Sequence, residues 1–270
     1  VALDPRFLSV AVEAALAAGR LQRQYFRQAL QIRKKGPIDL VTEADVAVEQ
    51  DVRARILRHF PTHVFLGEEA AQAAPTTHSP YRWIVDPIDG TTNFAHGLPL
   101  FCVSIALEIE GRVDLGVIYA PVGDELFTAE RGEGTRLNGT RIRVTQETSM
   151  IDSLLVTGFP PQSTDRPGEQ VAIFGAFLSR ARAVRRLGSA ALDLAYVAAG
   201  RFDGFWESSL HAWDVAAGAL LVEEAGGVVS DFQGAPFDSF GRQLLASNGV
   251  IHPEMVQILG DVRRRLASEP

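Results

Sequence analysis

The stretch Trp83-Ile84-Val85-Asp86-Pro87-Ile88-Asp89-Gly90-Thr91-Thr92-Asn93-Phe94 decides how the rest of the chain is arranged. It starts as an apolar strand and arrives at a carboxylate, Asp86. Pro87 has no N–H to donate and a fixed φ, so the strand ladder is expected to stop there. Asp89 follows, Gly90 permits a backbone geometry that a side chain would hinder, and Thr91 and Thr92 add two hydroxyls. A strand end, a forced turn, two carboxylates and two hydroxyls make a holder for a hard, oxygen-seeking cation. Mg²⁺ keeps several waters and takes few protein carboxylates, with substrate phosphate completing its shell. Alone, Asp-Pro and Asp-Gly are ordinary turn formers, so the reading depends on acids elsewhere.

Working outward toward the N-terminus, Gly67-Glu68-Glu69 closes a short strand over His63 to Leu66, and residues 70 to 80 form a polar loop of the kind that covers sites. Before it, a helix runs from Thr42, as cap, to His59. Glu43 and Asp45 lie in its first turn, where the dipole favours acids. Gln31 to Val41 reads as two extended pieces broken at Gly36-Pro37, with Lys34 and Lys35 between them. The first helix opens at Asp4-Pro5 and continues to about Gln28, with Phe7, Leu8, Ala11, Ala14, Ala15 and Ala18 at helical spacing.

Working toward the C-terminus, His96 to Pro99 is a turn, and Phe101 to Glu108 and Arg112 to Ala120 are strands joined at Gly111. Leu126 to Ala129 and Arg136-Leu137 extend the meander, with Asn138-Gly139 as a tight turn. The first half is thus helices followed by an antiparallel sheet. The second half alternates: a strand at Ser153 to Thr157, a loop over 160 to 168, and a helix from Glu169 to Arg182. A strand at Val184 to Leu187 and a helix from Gly188-Ser189 to Ala199 come next. Gly204 to Trp206 is a strand, and a helix from Ala212 to Ala225 stops at Gly226-Gly227. Strands at 228 to 230 and 244 to 247 and a last helix from Pro253 to Leu266 complete it. Alternation of this kind implies an α/β layer.

The chain has 270 residues, 46% of them apolar, which suffices for one large or two closely packed core-forming units. Its formal charge of −7 argues against a general nucleic-acid binder, whose affinity would rest on Lys and Arg. It leaves open a small anionic substrate, because bound cations reverse the local sign of a site. The one cysteine, Cys102, rules out an internal disulfide and reads as a small buried hydrophobe. There is no apolar run long enough to span a membrane and no signal-peptide plan near the start, so a cytoplasmic location is expected.

Acids at element ends therefore occur at Asp45, at Glu68 with Glu69, at Asp86 with Asp89, and at Asp214 in His211-Ala212-Trp213-Asp214. Asp214 at a helix start is also compatible with a simple dipole effect. Trp83 to Phe94, Gly67-Glu68-Glu69, and Trp213-Asp214 followed by Glu224-Ala225-Gly226-Gly227 resemble the inositol monophosphatase family of lithium-sensitive, Mg²⁺-dependent phosphatases. Asp39 to Asp45 and Gly188-Ser189-Ala190-Ala191 resemble two further motifs of that family, in the same order, so the match covers most of the chain.

The resemblance implies a mixed α/β (α+β) chain folded as a layered αβαβα sandwich, as in inositol monophosphatase and fructose-1,6-bisphosphatase. Residues 1–148 would carry most metal ligands, and 149–270 would carry Asp214 and the substrate loop, the two packing as one catalytic unit. Glu68, Asp86 and the backbone carbonyl of Ile88 would hold one Mg²⁺; Asp86, Asp89 and Asp214 would hold a second; Glu68 would reach a third. Thr91, held by Asp45, would orient the attacking water. Asp89, the N–H groups of Gly90 and Thr91, the Gly188-Ser189-Ala190 loop and Glu207 would bind substrate. Lys34, Glu69 and His211 would support these groups from behind. Ser189 as a plain helix cap and Glu207 as a surface acid stay open.

The substrate expected by resemblance is a small phosphorylated polyol or sugar, myo-inositol monophosphate first, with fructose 1,6-bisphosphate and histidinol phosphate as alternatives. Homodimerisation is implied on the same basis. A regulatory RNA- or protein-binding role is the rival of another class. A covalent aspartyl phosphatase is excluded, because its nucleophile would fall at Pro87.

Overall fold

The computed structural model describes residues 3–26, 28, 32–34, 40–69, 79–159 and 167–268, with the backbone alone at 32–34, 40–42 and 167. Helix α1 (Arg6–Tyr25) begins where Asp4 Oδ1 accepts the Arg6 N–H at 2.9 Å, and it buries its alanine face. It ends three residues earlier than its pattern suggests. Phe26 leaves helical geometry (ψ 129°) and stacks on Phe94 and Phe101, with centroids at 5.6 and 4.9 Å. Strands β1 (Ile32–Lys34) and β2 (Leu40–Thr42) pair antiparallel. The Gly36-Pro37 break, Lys35, Asp39 and most of the loops expected at 70 to 80 and 160 to 168 lie outside the described residues.

Helix α2 (Glu43–His59) leads to β3 (Val64–Gly67), β4 (Tyr81–Asp89) and a short helix, α3 (Thr91–Ala95). A meander follows: β5 (Cys102–Ile109), β6 (Arg112–Ala120), β7 (Glu125–Glu130), β8 (Gly134–Leu137) and β9 (Thr140–Arg141). Strands β3 to β9 form one sheet in sequence order, antiparallel except at its edge, where β3 runs parallel to β4. After a 3₁₀ turn come β10 (Leu154–Thr157), α4 (Pro167–Leu178), β11 (Ala183–Arg185), α5 (Ala190–Ala198) and β12 (Gly204–Ser208). The chain finishes with α6 (Ala212–Glu224), β13 (Val228–Ser230), β14 (Gln243–Ser247) and α7 (His252–Ser268). The second sheet has the order β11-β10-β12-β14-β13; β10 is parallel to both neighbours, as expected of strands joined through helices, and β14 is antiparallel to both of its own.

Side-chain alternation stacks these parts into five layers. On β5, Val103, Ile105 and Leu107 pack with α1 and α2, while Cys102 and Ala106 point into a core shared with α5 and α6. That central core also takes Val156, Phe205, Leu244 and Ala246 from the second sheet. Leu155, Trp206 and Leu245, from the opposite face of that sheet, pack with Ile173 and Phe177 of α4 and Met255 and Leu259 of α7. The order is helices, sheet, helices, sheet, helices: the αβαβα sandwich. Among the described residues, no helix is long and apolar enough to cross a membrane.

Pro87 does not stop the ladder. Strand β4 passes through it, with Asp86 opposite Ser104 and Asp89 opposite Cys102. Three steps along β4 thus match two along β5, so one residue is bulged out where proline has no N–H to offer. The Pro87 carbonyl accepts instead from Gln22 Nε2 of α1 at 2.7 Å.

Candidate active site

The bulge has a direct consequence for the two carboxylates. In a regular strand, residues three apart point to opposite faces. Asp86 shares a face with Ile84, turned toward the central helix layer; the extra residue returns Asp89 to that same face, opposite Cys102. There the start of α6 presents Asp214. One carboxylate oxygen from each of Asp86, Asp89 and Asp214 lies within 4.8 Å of the others.

Each acid is fixed separately. Asp86 Oδ1 accepts the Ile88 N–H at 2.9 Å across the bulge. Asp89 Oδ2 accepts the Ser189 hydroxyl at 2.5 Å and the Ala191 N–H at 2.8 Å, from the first turn of α5. Ser189 occupies the helix-cap position but spends its hydroxyl on Asp89 rather than on the helix. Asp214 Oδ2 accepts the His211 N–H at 2.7 Å. Asp86 and Asp89 are buried, at 2% and 8% exposure, and Asp214 is partly buried.

Burial pushes the Asp86 carboxyl well above its ordinary value, and the charges of Glu68, Asp89, Asp214 and Asp45 push it the same way. Burial pushes Asp89 up to about 6, against the opposing pull of Ser189 and Ala191. Asp214 is raised by burial and by Asp89. Acids gathered so that each raises the next are stabilised by a positive charge placed among them. All-carboxylate donors at this spacing fit a hard divalent cation.

Glu68 follows β3, with its N–H donating to Val85 O at 3.2 Å. It stands outside the 4.8 Å group, yet its charge reaches all three members. The Thr91 hydroxyl lies 3.2 Å from Asp45 Oδ1 and 3.0 Å from the Ile88 carbonyl, which brings Thr91, Asp45 and Ile88 together. Gly90, at φ 96°, turns the chain from β4 into α3, and a Cβ there would sit 2.8 Å from the Leu100 carbonyl. Gly188, Ser189 and Ala190 line the start of α5, and Asn93 Nδ2 ties α3 to them by donating to Leu187 O at 2.8 Å.

Glu207 is no surface acid. It is 8% exposed, sits so close to Gly158 that any Cβ there would overlap its carboxyl, and is raised by burial and by Asp214 and Asp89. His211 is exposed, stacks on Trp213 at 4.7 Å, and donates its backbone N–H to Asp214. Glu69 is half-buried, its N–H held by Glu49 Oε2 at 2.8 Å. The Lys34 side chain lies outside the described residues.

Three buried residues near this site escape a sequence reading. Gln22 braces the bulge, Glu49 holds the turn after β3, and Asp193 of α5 lies four residues after Ser189 with neither carboxylate oxygen hydrogen-bonded. In α1 and α2, Gln22 and Glu49 look like ordinary polar helix residues, and only their distant partners mark them; Asp193 is the one charged residue of the apolar helix α5.

The chain as a whole is similar to known proteins. The model of the inositol monophosphatase family matches residues 4–264. An inositol-1-monophosphatase from Mesorhizobium japonicum is 47% identical over 252 residues, 93% of this chain and 94% of that one. A protein named Nus factor SuhB from Pseudomonas aeruginosa is 45% identical over 233 residues, 84% of this chain and 86% of its own. The crystal structure of extragenic suppressor protein suhB from Bartonella henselae superposes with a TM-score of 0.89 at 44% identity, covering 94% of this chain and 98% of that one. By its sequence over nearly its whole length, and by its fold, the chain belongs to the inositol monophosphatase family.

Proposed function

We propose that this chain is a Mg²⁺-dependent phosphate monoester hydrolase acting on a small phosphorylated polyol, myo-inositol monophosphate foremost. The observation that carries the reading is the meeting of Asp86, Asp89 and Asp214, brought from one strand of the first sheet and the start of α6 to within 4.8 Å. Asp86, Asp89 and Asp214 would hold one cation, and Glu68, Asp86 and the Ile88 carbonyl another. When bound, such cations offset the charge of a phosphate dianion and acidify water.

The chain's own groups perform the rest. Buried Asp45 accepts the Thr91 proton, which leaves a Thr91 lone pair to accept from the attacking water and aim it. Glu68 stands by as a second acceptor. The N–H groups of Gly90 and Thr91 open α3 and face substrate phosphate. Phosphoryl transfer needs chiefly positioning and charge compensation, so no protein nucleophile is required. Glu207 and the Gly188-Ser189-Ala190 turn accept from substrate hydroxyls, which selects a polyol. In this reading residues 1–148 and 149–270 act as one unit, since neither alone assembles the three aspartates.

Phosphate release from inositol 1-phosphate, fructose 1,6-bisphosphate, histidinol phosphate and adenosine 3′,5′-bisphosphate, with and without Mg²⁺, tests it. Mg²⁺-dependent turnover of inositol 1-phosphate above the others is expected. Turnover of none by folded protein would overturn the reading. It would favour a regulatory role through RNA or a protein, a reading supported by relatives at 42–45% identity that bear the name Nus factor SuhB. The net charge of −7 weighs against RNA as that partner.

A further inference from the structure

Helix α2 turns one face toward the site. Asp45 and Glu49 are four residues apart and both buried, at 0% and 5% exposure. Asp45 reaches Thr91 after β4, and Glu49 reaches the turn after β3, where its Oε2 accepts the Glu69 N–H at 2.8 Å. Room for the Glu49 carboxylate exists because residue 67 is glycine: a Cβ there would overlap Oε2 and lie 2.5 Å from Cδ. Glu68 sits between that glycine and the bonded Glu69 N–H, so the carboxylate of Glu49 clasps the turn on both sides of Glu68.

From this clasp we infer that Glu49 is a positioning residue, holding the Gly67-Glu68-Glu69 turn so that the Glu68 carboxylate is presented to the cations beside Asp86. The inference rests on the cation reading above and adds to it a residue that touches neither metal nor substrate. What the turn takes from α2 is an acceptor for the Glu69 N–H. Groups that orient metal ligands from behind are worth about 10–100-fold in metal affinity.

The test is a thermal-midpoint titration of metal-stripped protein with Mg²⁺, which needs no turnover. Glu49→Met keeps the length of the side chain and removes the acceptor; about a tenfold or greater rise in the Mg²⁺ concentration for half-maximal stabilisation is expected. Glu49→Gln retains an acceptor for the Glu69 N–H and should follow the wild-type curve. Gly67→Ala, which displaces the Glu49 carboxylate from the other side, should reproduce the Glu49→Met defect and guards against a misfolded single variant. A wild-type shift that Glu49→Met leaves in place overturns this inference alone. A wild type with no Mg²⁺ shift overturns the cation reading and this inference with it.

Discussion

Two groups of buried polar side chains sit in this molecule, and they are built on opposite plans. In the one behind the second sheet, Asp203 Oδ1 accepts the Thr145 hydroxyl at 2.6 Å and its Oδ2 accepts the Leu154 N–H at 2.7 Å. Asn248 donates to Thr145 Oγ1 and Glu147 O and accepts from the Val250 and Ile251 N–H groups. His252 lies 2.9 Å from both Ser230 Oγ and Ser247 Oγ. Every acid or amide there meets donors, and the network joins loop, strand and helix. In the other group, Asp86, Asp89 and Asp214 each accept a backbone N–H, yet they and Glu207 are raised by burial and by neighbouring acids, and neither carboxylate oxygen of Asp193 is hydrogen-bonded. Buried polar groups that satisfy one another hold the fold together, whereas buried carboxylates that raise one another are the kind of cluster a cation would stabilise.

The sharpest way to break this contrast is to remove one acid from each group. Asp86→Asn should abolish turnover and at the same time raise the thermal midpoint of the metal-free protein, because it relieves repulsion. Asp203→Ala should do the reverse. It strands the Thr145 hydroxyl and the Leu154 N–H, at a cost of about 2–5 kcal/mol by denaturant titration, while turnover per folded molecule stays at the wild-type level. Equal destabilisation by both would erase the distinction.

A smaller effect is expected at Glu207. Glu207→Gln keeps its shape but weakens acceptance from substrate hydroxyls, so KM for a polyol phosphate should rise about tenfold, with kcat changed less, in steady-state assays. A loss confined to kcat would move Glu207 from binding to chemistry.

Much of this was legible in the sequence, and the exceptions have physical causes. The stretch from Asp86 to Thr92 announces a cation holder because carboxylates, glycine and hydroxyls rarely crowd a strand end for structural reasons alone. Glu207 was legible only as a position in a family pattern; its burial depends on Gly158, which approaches through the fold. Pro87 misled for a sound reason: proline ends ladders in general, but here a bulge absorbs the missing donor and Gln22, 65 residues away, takes the carbonyl. Period-two alternation read without that bulge would put Asp86 and Asp89 on opposite faces. Glu49 sits in a helix among other polar residues, where local spacing cannot tell a solvated acid from a buried one, whereas Asp193 stands alone in the apolar run of α5.

pH sharpens the comparison further. In metal-free protein the raised carboxyls bind protons that the unfolded chain, with ordinary values near 3.8, would release. The native state therefore carries the extra protons, and stability falls as pH rises through the folded values, about 6 for Asp89. Scanning calorimetry should show a lower melting midpoint at mildly alkaline pH than near pH 6, and saturating Mg²⁺ should remove the difference. His252 works in the other direction and more weakly. Burial lowers its pKa below 6.5, so below that pH the unfolded chain binds a proton the native state refuses. With Mg²⁺ present, stability should decline as pH falls below that value, by no more than about 1.4 kcal/mol per pH unit, and His252→Asn should flatten the slope.

Calorimetric titration of the metal-stripped protein with Mg²⁺ near pH 6, in two buffers of different ionisation heat, decides whether Asp86, Asp89 and Asp214 converge for a divalent cation. Saturable binding with net proton release is expected, since a cation would displace protons from Asp86, Asp89 and Asp214. Asp89→Asn should lose much of that release. Absence of Mg²⁺ binding, or binding that releases no protons and ignores Asp89→Asn, would contradict it.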